Sequence, residues 1–150
     1  MKMMEALTER TTVIDANQLI LGRMSSIVAK RLLKGEKIII VNAEKAVISG
    51  KKGSKVREAK EFLKVGHPWK GPFHPRRPDR IVRRTIRGML PYKKPKGKAA
   101  YKRLRVYIGV PEELQDVEKE TLKEAHASKL RCPYFTVAEL AREVGWRGEA

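Results

Sequence analysis

The chain has 150 residues, with 34 Lys/Arg against 17 Asp/Glu, a formal charge of +17 and a pI near 10.3, so its field favours a polyanion, nucleic acid first. A hydrophobic content of 41% on this length supports one domain with a real core. No apolar run approaches the roughly 18–20 residues of a membrane span, Met1–Thr12 lacks a signal-peptide apolar core, and the lone Cys132 leaves no disulfide framework or cysteine metal cluster; the expectation is a cytoplasmic protein with no membrane association and no cofactor.

In chain order, Met1–Arg10 is polar and is expected to fray. Thr11–Asp15 is short and β-branched and reads as a strand. Over Leu21–Lys34, Met24, Ile27, Val28, Leu32 and Leu33 recur at helical spacing, and Gly35 stops the helix. Lys37–Asn42 is a continuous apolar strand, too uniform to have a wet face, which suggests a central strand covered on both sides. Ala46–Ser49 is another short strand, followed by the turn Gly50–Gly53 with the extended cations Lys51 and Lys52. Ser54 can cap a helix carrying Val56, Ala59 and Leu63, which ends at Gly66.

From Gly66 to Arg105 the chain changes character. This stretch holds fourteen Lys/Arg and one acid, Asp79, so it supplies +13 of the total charge, and six of the eight prolines lie in it. The loop from His67 to Arg77 mixes Trp69, Phe73, His67 and His74 with Lys70, Arg76 and Arg77. Such rings either stack on unpaired bases or plug the loop onto the body. Asp79 can cap a helix over Arg80–Leu90, which Pro91 ends. Plotted at about 100° per residue, Arg80, Arg83, Arg84 and Arg87 fall on one face, and Ile81, Val82, Thr85, Ile86 and Met89 on the other. Guanidinium is flat, forked and always charged, so four of them in a row suit phosphate oxygens. The next tract, with Lys93, Lys94, Lys96 and Lys98, has too few apolar residues to fold alone and is expected to be extended, ordering only on a partner. Lys102 and Arg103 lead into a strand over Leu104–Val110.

Strand–helix–strand alternation with buried strands argues for a layered α/β fold with a largely parallel sheet. The single domain divides into a core over about residues 11–110 and a C-terminal extension over about 111–150. Residues 106–150 carry nine acids and six bases, a net of −3. The extension is expected to be helical: Pro111 opens a helix with Leu114 and Val117, and Thr136–Glu139 is a capping box before the stripe Val137, Leu140, Ala141 and Val144.

Enzymatic signals are weak. Leu19–Ser26 has neither the paired glycines nor the Gly-Lys-Ser/Thr of a phosphate loop. Asp15 and Glu44 follow strands, where doubly wound folds place ligands, but no nucleophile or cofactor loop accompanies them. A small RNA-processing enzyme, nuclease-like and using Asp15, Glu44 and one of His67, His74 or His126, is the alternative to a binding protein; a DNA-compacting protein is a third reading.

Residues Val13-Ile14-Asp15-Ala16, Leu21-Gly22-Arg23, Val41–Lys45 and Ser49-Gly50, then Arg76-Arg77-Pro78, Arg87-Gly88-Met89-Leu90-Pro91 and Arg103–Tyr107, resemble the motifs of the universal large-subunit ribosomal protein thirteen family in sequence and in order. The ending Ala141–Trp146 looks like the archaeal and eukaryotic branch, and the longer insertion of the bacterial form after the first helix is absent. The resemblance implies a three-layer α/β/α fold with a four-stranded, largely parallel sheet. It also implies a noncatalytic structural component of the large ribosomal subunit that binds large-subunit ribosomal RNA during early assembly. Carried onto this chain, the RNA contacts centre on Arg76, Arg77, Arg87, Gly88 and Lys98, with Arg23 and the other cations named above around them. The acidic extension lies outside the shared motifs, and a neighbouring ribosomal protein is its expected partner.

Overall fold

The computed structural model describes residues 11–148, so Met1–Arg10, expected to fray, lies outside the described residues. In chain order its elements are β1 (Thr11–Asp15), α1 (Leu21–Leu33), β2 (Lys37–Val41), β3 (Val47–Ser49), α2 (Lys52–Lys64), α3 (Pro78–Gly88), α4 (Pro95–Lys102), β4 (Leu104–Val106), β5 (Tyr134–Thr136) and α5 (Val137–Glu143).

β1, β2 and β4 form a parallel sheet in that order, with β2 in the middle. The apolar run of β2 needs that place: Ile38, Ile40 and Val41 are fully buried, and successive side chains point to opposite faces. On one face Ile14, Ile38, Ile40 and Leu104 pack with Met24, Val28 and Leu32 of α1 and with Val82 and Ile86 of α3. On the other, Val13 and Val41 are covered by Leu114, Val117, Tyr107 and Val110. Among the described residues no α-helix contributes to that second cluster, because the expected helix after Pro111 is one 3₁₀ turn, Glu112–Leu114.

The sheet has three strands where four were expected. Asn42 turns the chain at φ 56° and a 3₁₀ turn over Ala43–Lys45 follows, so β3 leaves the sheet. It pairs antiparallel with β5 instead, Val47 opposite Thr136. At the free edge of β1 a single residue takes the fourth place: the Asp15 N–H donates to the Glu120 carbonyl at 3.0 Å, and the Glu120 N–H donates to the Val13 carbonyl at 2.8 Å. The C-terminal extension is thus stitched to the core by backbone pairing rather than by the run of helices expected; α5 is its one α-helix among the described residues. The Thr136 capping box does form, with Glu139 N–H donating to Thr136 Oγ1 at 3.3 Å and Thr136 N–H donating to Glu139 Oε2 at 3.0 Å. Beside this seam Arg31 grips Glu36 at 2.9 Å and Glu120 at 3.1 Å. Burial works against its charge, but the Glu120 and Glu36 carboxylates outweigh that and hold its pKa above the ordinary arginine value.

Three helix boundaries differ from expectation for readable reasons. α3 begins at Pro78 with Arg77 at the cap, since proline at the first helical position loses no hydrogen bond; Asp79 sits inside the first turn and does not cap. α3 stops at Gly88, so Met89 is left 43% exposed and Leu90 is buried in its stead. α2 starts at Lys52, two residues before Ser54. The strand expected over Leu104–Val110 stops at Val106.

The lysine tract is the largest correction. It is not extended: Pro95 starts α4, and Gly97 and Ala100 are buried beneath it. Gly97 makes this possible, because a Cβ there would lie 2.0 Å from the Pro91 carbonyl oxygen. A helix that touches backbone so closely needs glycine at the contact.

Candidate nucleic-acid interface

α3 is a ridge with one side sunk in the core. Val82 and Ile86 are fully buried, which holds the helix in place and fixes where its arginines emerge. Arg80 and Arg84 are exposed, while Arg83 and Arg87 are half-buried. The half-buried pair does not lie free. The Arg83 guanidinium carbon sits 4.4 Å from the centre of the Tyr101 ring, and that of Arg87 sits 4.1 Å from the Tyr92 ring. The two tyrosines meet edge to face at 5.5 Å. Arg83, Tyr101, Tyr92 and Arg87 therefore make a continuous cation–ring ladder between α3 and the 91–102 segment. It restrains two long side chains that would otherwise lose rotamer freedom on meeting a ligand.

Of the grooves along the ridge, two gather several cations each, and Arg84 lines both. The first, about 450 Å³, is lined by Arg84, Arg87, Gly88, Leu90, Pro91, Tyr92, Lys93 and Lys94. It carries four cations and no acid. Gly88 lies exposed in it, and a Cβ there would meet no protein atom within 4 Å. The second groove, about 420 Å³, runs between Phe73, His74 and Pro75 on one side and Arg80, Arg83 and Arg84 on the other, with Tyr101 completing the lining.

The loop before α3 projects. Its tip is a tight turn in which His67 N–H donates to the Gly71 carbonyl at 3.0 Å and the His67 carbonyl accepts from Gly71 at 2.9 Å. His67 Nδ1 also accepts from the Trp69 N–H at 3.2 Å, so this histidine shapes the turn. Trp69 is 85% exposed and Phe73 73% exposed; neither plugs the loop to the body. The His74 ring contacts Phe62 of α2 at 5.7 Å. Lys70 is exposed beside Trp69, and Arg76 reaches back to the Gly145 backbone, where an added Cβ would lie 3.1 Å from its Nη1. Arg77 stays near Asp79 at 3.4 Å.

The structure thus gathers Arg80, Arg83, Arg84, Arg87, Gly88, Lys93 and Lys94 around α3, with His74 at the border. Lys96, Lys98 and Lys102 are exposed on α4. Lys51 and Lys52 stand at the start of α2, and Arg23 lines a separate groove with Val47, Ile48 and Leu130. Arg103 turns inward, its Nη2 donating to the Leu32 carbonyl at 2.6 Å, where it closes the C-terminus of α1. Tyr92, Tyr101 and Gly97 were not singled out from the sequence; Pro95 at a helix start was the signal that would have led to the last.

The residues of the enzyme alternative have structural duties. Asp15 Oδ1 accepts from Asn17 N–H and from Asn42 Nδ2, both at 3.0 Å. Glu44 Oε2 accepts from Gly109 N–H at 2.9 Å. His126 Nδ1 accepts from Ser128 N–H at 3.1 Å. Each holds a turn, and among the described residues no group of three or more His, Cys, Asp or Glu could hold a metal ion.

Comparison with known proteins agrees with this geometry. Residues 9–113 match the family model described as ribosomal protein L13. The chain is 50% identical over 149 residues to "Large ribosomal subunit protein uL13" of Archaeoglobus fulgidus, covering 98% of this chain and 96% of that protein. It is 49% identical to the protein of the same name from Methanopyrus kandleri (93% and 89% covered) and 41% identical to that from Aeropyrum pernix (93% and 92%). The family match spans β1 to the turn after β4 and the relatives align through the acidic extension as well, so the chain belongs to the ribosomal protein L13 family.

Proposed function

We infer that the ridge of α3 and its flanking grooves are the surface by which this chain binds large-subunit ribosomal RNA. Family membership makes the protein a structural, noncatalytic constituent of the large ribosomal subunit. What supports the assignment of the surface is the first groove: Arg84, Arg87, Lys93 and Lys94 converge around an exposed glycine with no carboxylate among them. Four cations without counter-ions repel one another, and phosphates relieve that repulsion. Gly88 leaves the backbone bare, so a sugar–phosphate strand can approach it directly. The exposed cations of α4 and of the α2 start, with Arg76 and Arg77, extend the field around this centre. The protein joins the subunit early in assembly, in the cytoplasm, and Glu112, Glu113, Asp116 and Glu118, exposed on the acidic extension, face a basic neighbouring ribosomal protein.

The test is the salt dependence of binding to large-subunit ribosomal RNA. Each phosphate neutralised adds roughly 0.7–0.9 to the slope of log affinity against log salt. A slope of several is expected; one near unity or below rejects an extended phosphate interface. Sedimentation of the chain with the large subunit, lost on Arg87→Ala with Lys93→Ala, would tie that slope to this groove.

A further inference from the structure

The two grooves beside α3 differ in one respect. Each is lined by a ring, but Tyr92 in the first is half-buried with the Arg87 guanidinium 4.1 Å over its face, whereas the second has the exposed ring of Phe73 among its arginines. Phe73 is 73% exposed, although a phenyl ring gains nothing from water. It is nonetheless backed by the chain: a Cβ on Gly71, whose φ is +83°, would lie 3.3 Å from Phe73 Cδ2 and Cε2. The opposite wall carries Arg80, Arg83 and Arg84, and Arg83 is steadied by Tyr101. No carboxylate lines the cleft.

A duplex hides the flat faces of its bases inside its own stack, so an exposed ring beside a duplex has nothing to stack on. An unpaired nucleotide offers a base face and a phosphate a few ångströms apart, which a ring facing guanidiniums matches. We propose that the cleft between the 71–75 segment and α3 takes an unpaired nucleotide of the RNA, its base stacked on Phe73 and its phosphate held by Arg80 and Arg84. The proposal rests on the RNA-binding reading of α3 and deepens it. The first groove follows a phosphate backbone, paired or not, and the second selects a flipped-out or single-stranded base.

The full chain is titrated with a single-stranded oligoribonucleotide and with a fully paired duplex of equal length, at one salt concentration. Phe73→Ala is expected to weaken single-strand binding by about 5- to 150-fold, the range seen when one stacked base loses its aromatic partner. Duplex binding should change less than about twofold. Phe73→Trp should restore single-strand binding, which a merely structural role would not predict, and equal melting temperatures for the variants exclude unfolding. Arg87→Ala should weaken both RNAs. If Phe73→Ala leaves single-strand binding unchanged, or weakens both RNAs equally, the cleft does not hold a base, while the RNA-binding surface stands. If neither RNA binds in a salt-dependent way, the surface assignment fails and the cleft with it.

Discussion

α2 and α3 run 13 and 11 residues, and both set aliphatic side chains among cations. Their fates differ. α3 buries Pro78, Val82 and Ile86, the last two in the core it shares with α1 and the sheet, whereas α2 buries Val56 alone and leaves Phe62 58% exposed. What ties α2 to the body includes a Lys60–Glu143 ion pair at 3.6 Å whose side chains are about half exposed, a kind of pair that contributes little. A helical stripe in a sequence therefore tells that a helix has an apolar side, not that its own chain will cover it. In this fold it is the covered helix that carries the four arginines, and only a helix fixed by its core can hold four guanidiniums in register.

That contrast can be broken by substitution. The largest effect is expected at Ile86. Ile86→Ala should cost about 2–5 kcal/mol in denaturant unfolding, because the site is fully buried between α1 and the sheet. On α2, Phe62→Ala should stay within about 0.5 kcal/mol, as exposed substitutions do. Equal losses at the two sites would show that α2 is as firmly seated as α3.

Gly97→Ala comes next. Its Cβ would overlap the Pro91 carbonyl, so α4 must move, at about 1–3 kcal/mol. Loosening α4 displaces Tyr101 and so releases Arg83; thermal melting and RNA affinity should fall together. Amide exchange on the free protein sharpens the same point. Protection is expected at Lys98 and Arg103, whose N–H groups donate to Lys94 and Ala100 at 3.1 Å, and faster exchange in the last turns of α2. Rapid exchange throughout α4 would mean that it orders only on a partner.

Thr136→Ala removes the hydroxyl half of the capping box on α5 and should cost about 1 kcal/mol, read as a shift in denaturation midpoint. The smallest stability effect belongs to Arg84→Ala, within about 0.5 kcal/mol. Its binding loss should reach about 1–3 kcal/mol, because the exposed guanidinium at the crest lines both grooves. A variant that unfolds without losing affinity per folded molecule would reverse the assignment of the α3 faces.

Much of this was legible in residues. The β-branched Thr11–Asp15 and the apolar Lys37–Val41 are strands, α1 lies where its periodicity put it, and Gly35 ends it at φ +101°. The buried Val82 and Ile86 against the exposed Arg80 and Arg84 follow from 3.6-residue spacing alone. What spacing cannot show is a partner distant in sequence. β3 has the composition to join the parallel sheet, and only Tyr134–Thr136 across from it decides otherwise. The lysine tract looks unfoldable by composition, and the space above Pro91 that accepts Gly97 is a tertiary fact. Likewise nothing local distinguishes Arg103, spent on the Leu32 carbonyl, from Arg84 at the ridge crest.

The pairing of β3 with β5 bears on how the chain is made. Thr136 follows its partner Val47 by 89 positions. At the usual roughly 5–20 residues per second of synthesis, Val47–Ser49 waits about 4–18 s for its antiparallel neighbour. The edge of β1 waits longer still for Glu120, which follows its partner Ile14 by 106 positions. Through that interval the nascent polypeptide already displays its whole cationic middle while two strand borders stand open, the state most apt to pair with a second chain. Prompt capture of the emerging arginines by ribosomal RNA would hold such chains apart. Release of an incomplete chain ending before Tyr134 should instead lead to aggregation, which can be followed by pelleting ribosome-released truncations with and without RNA.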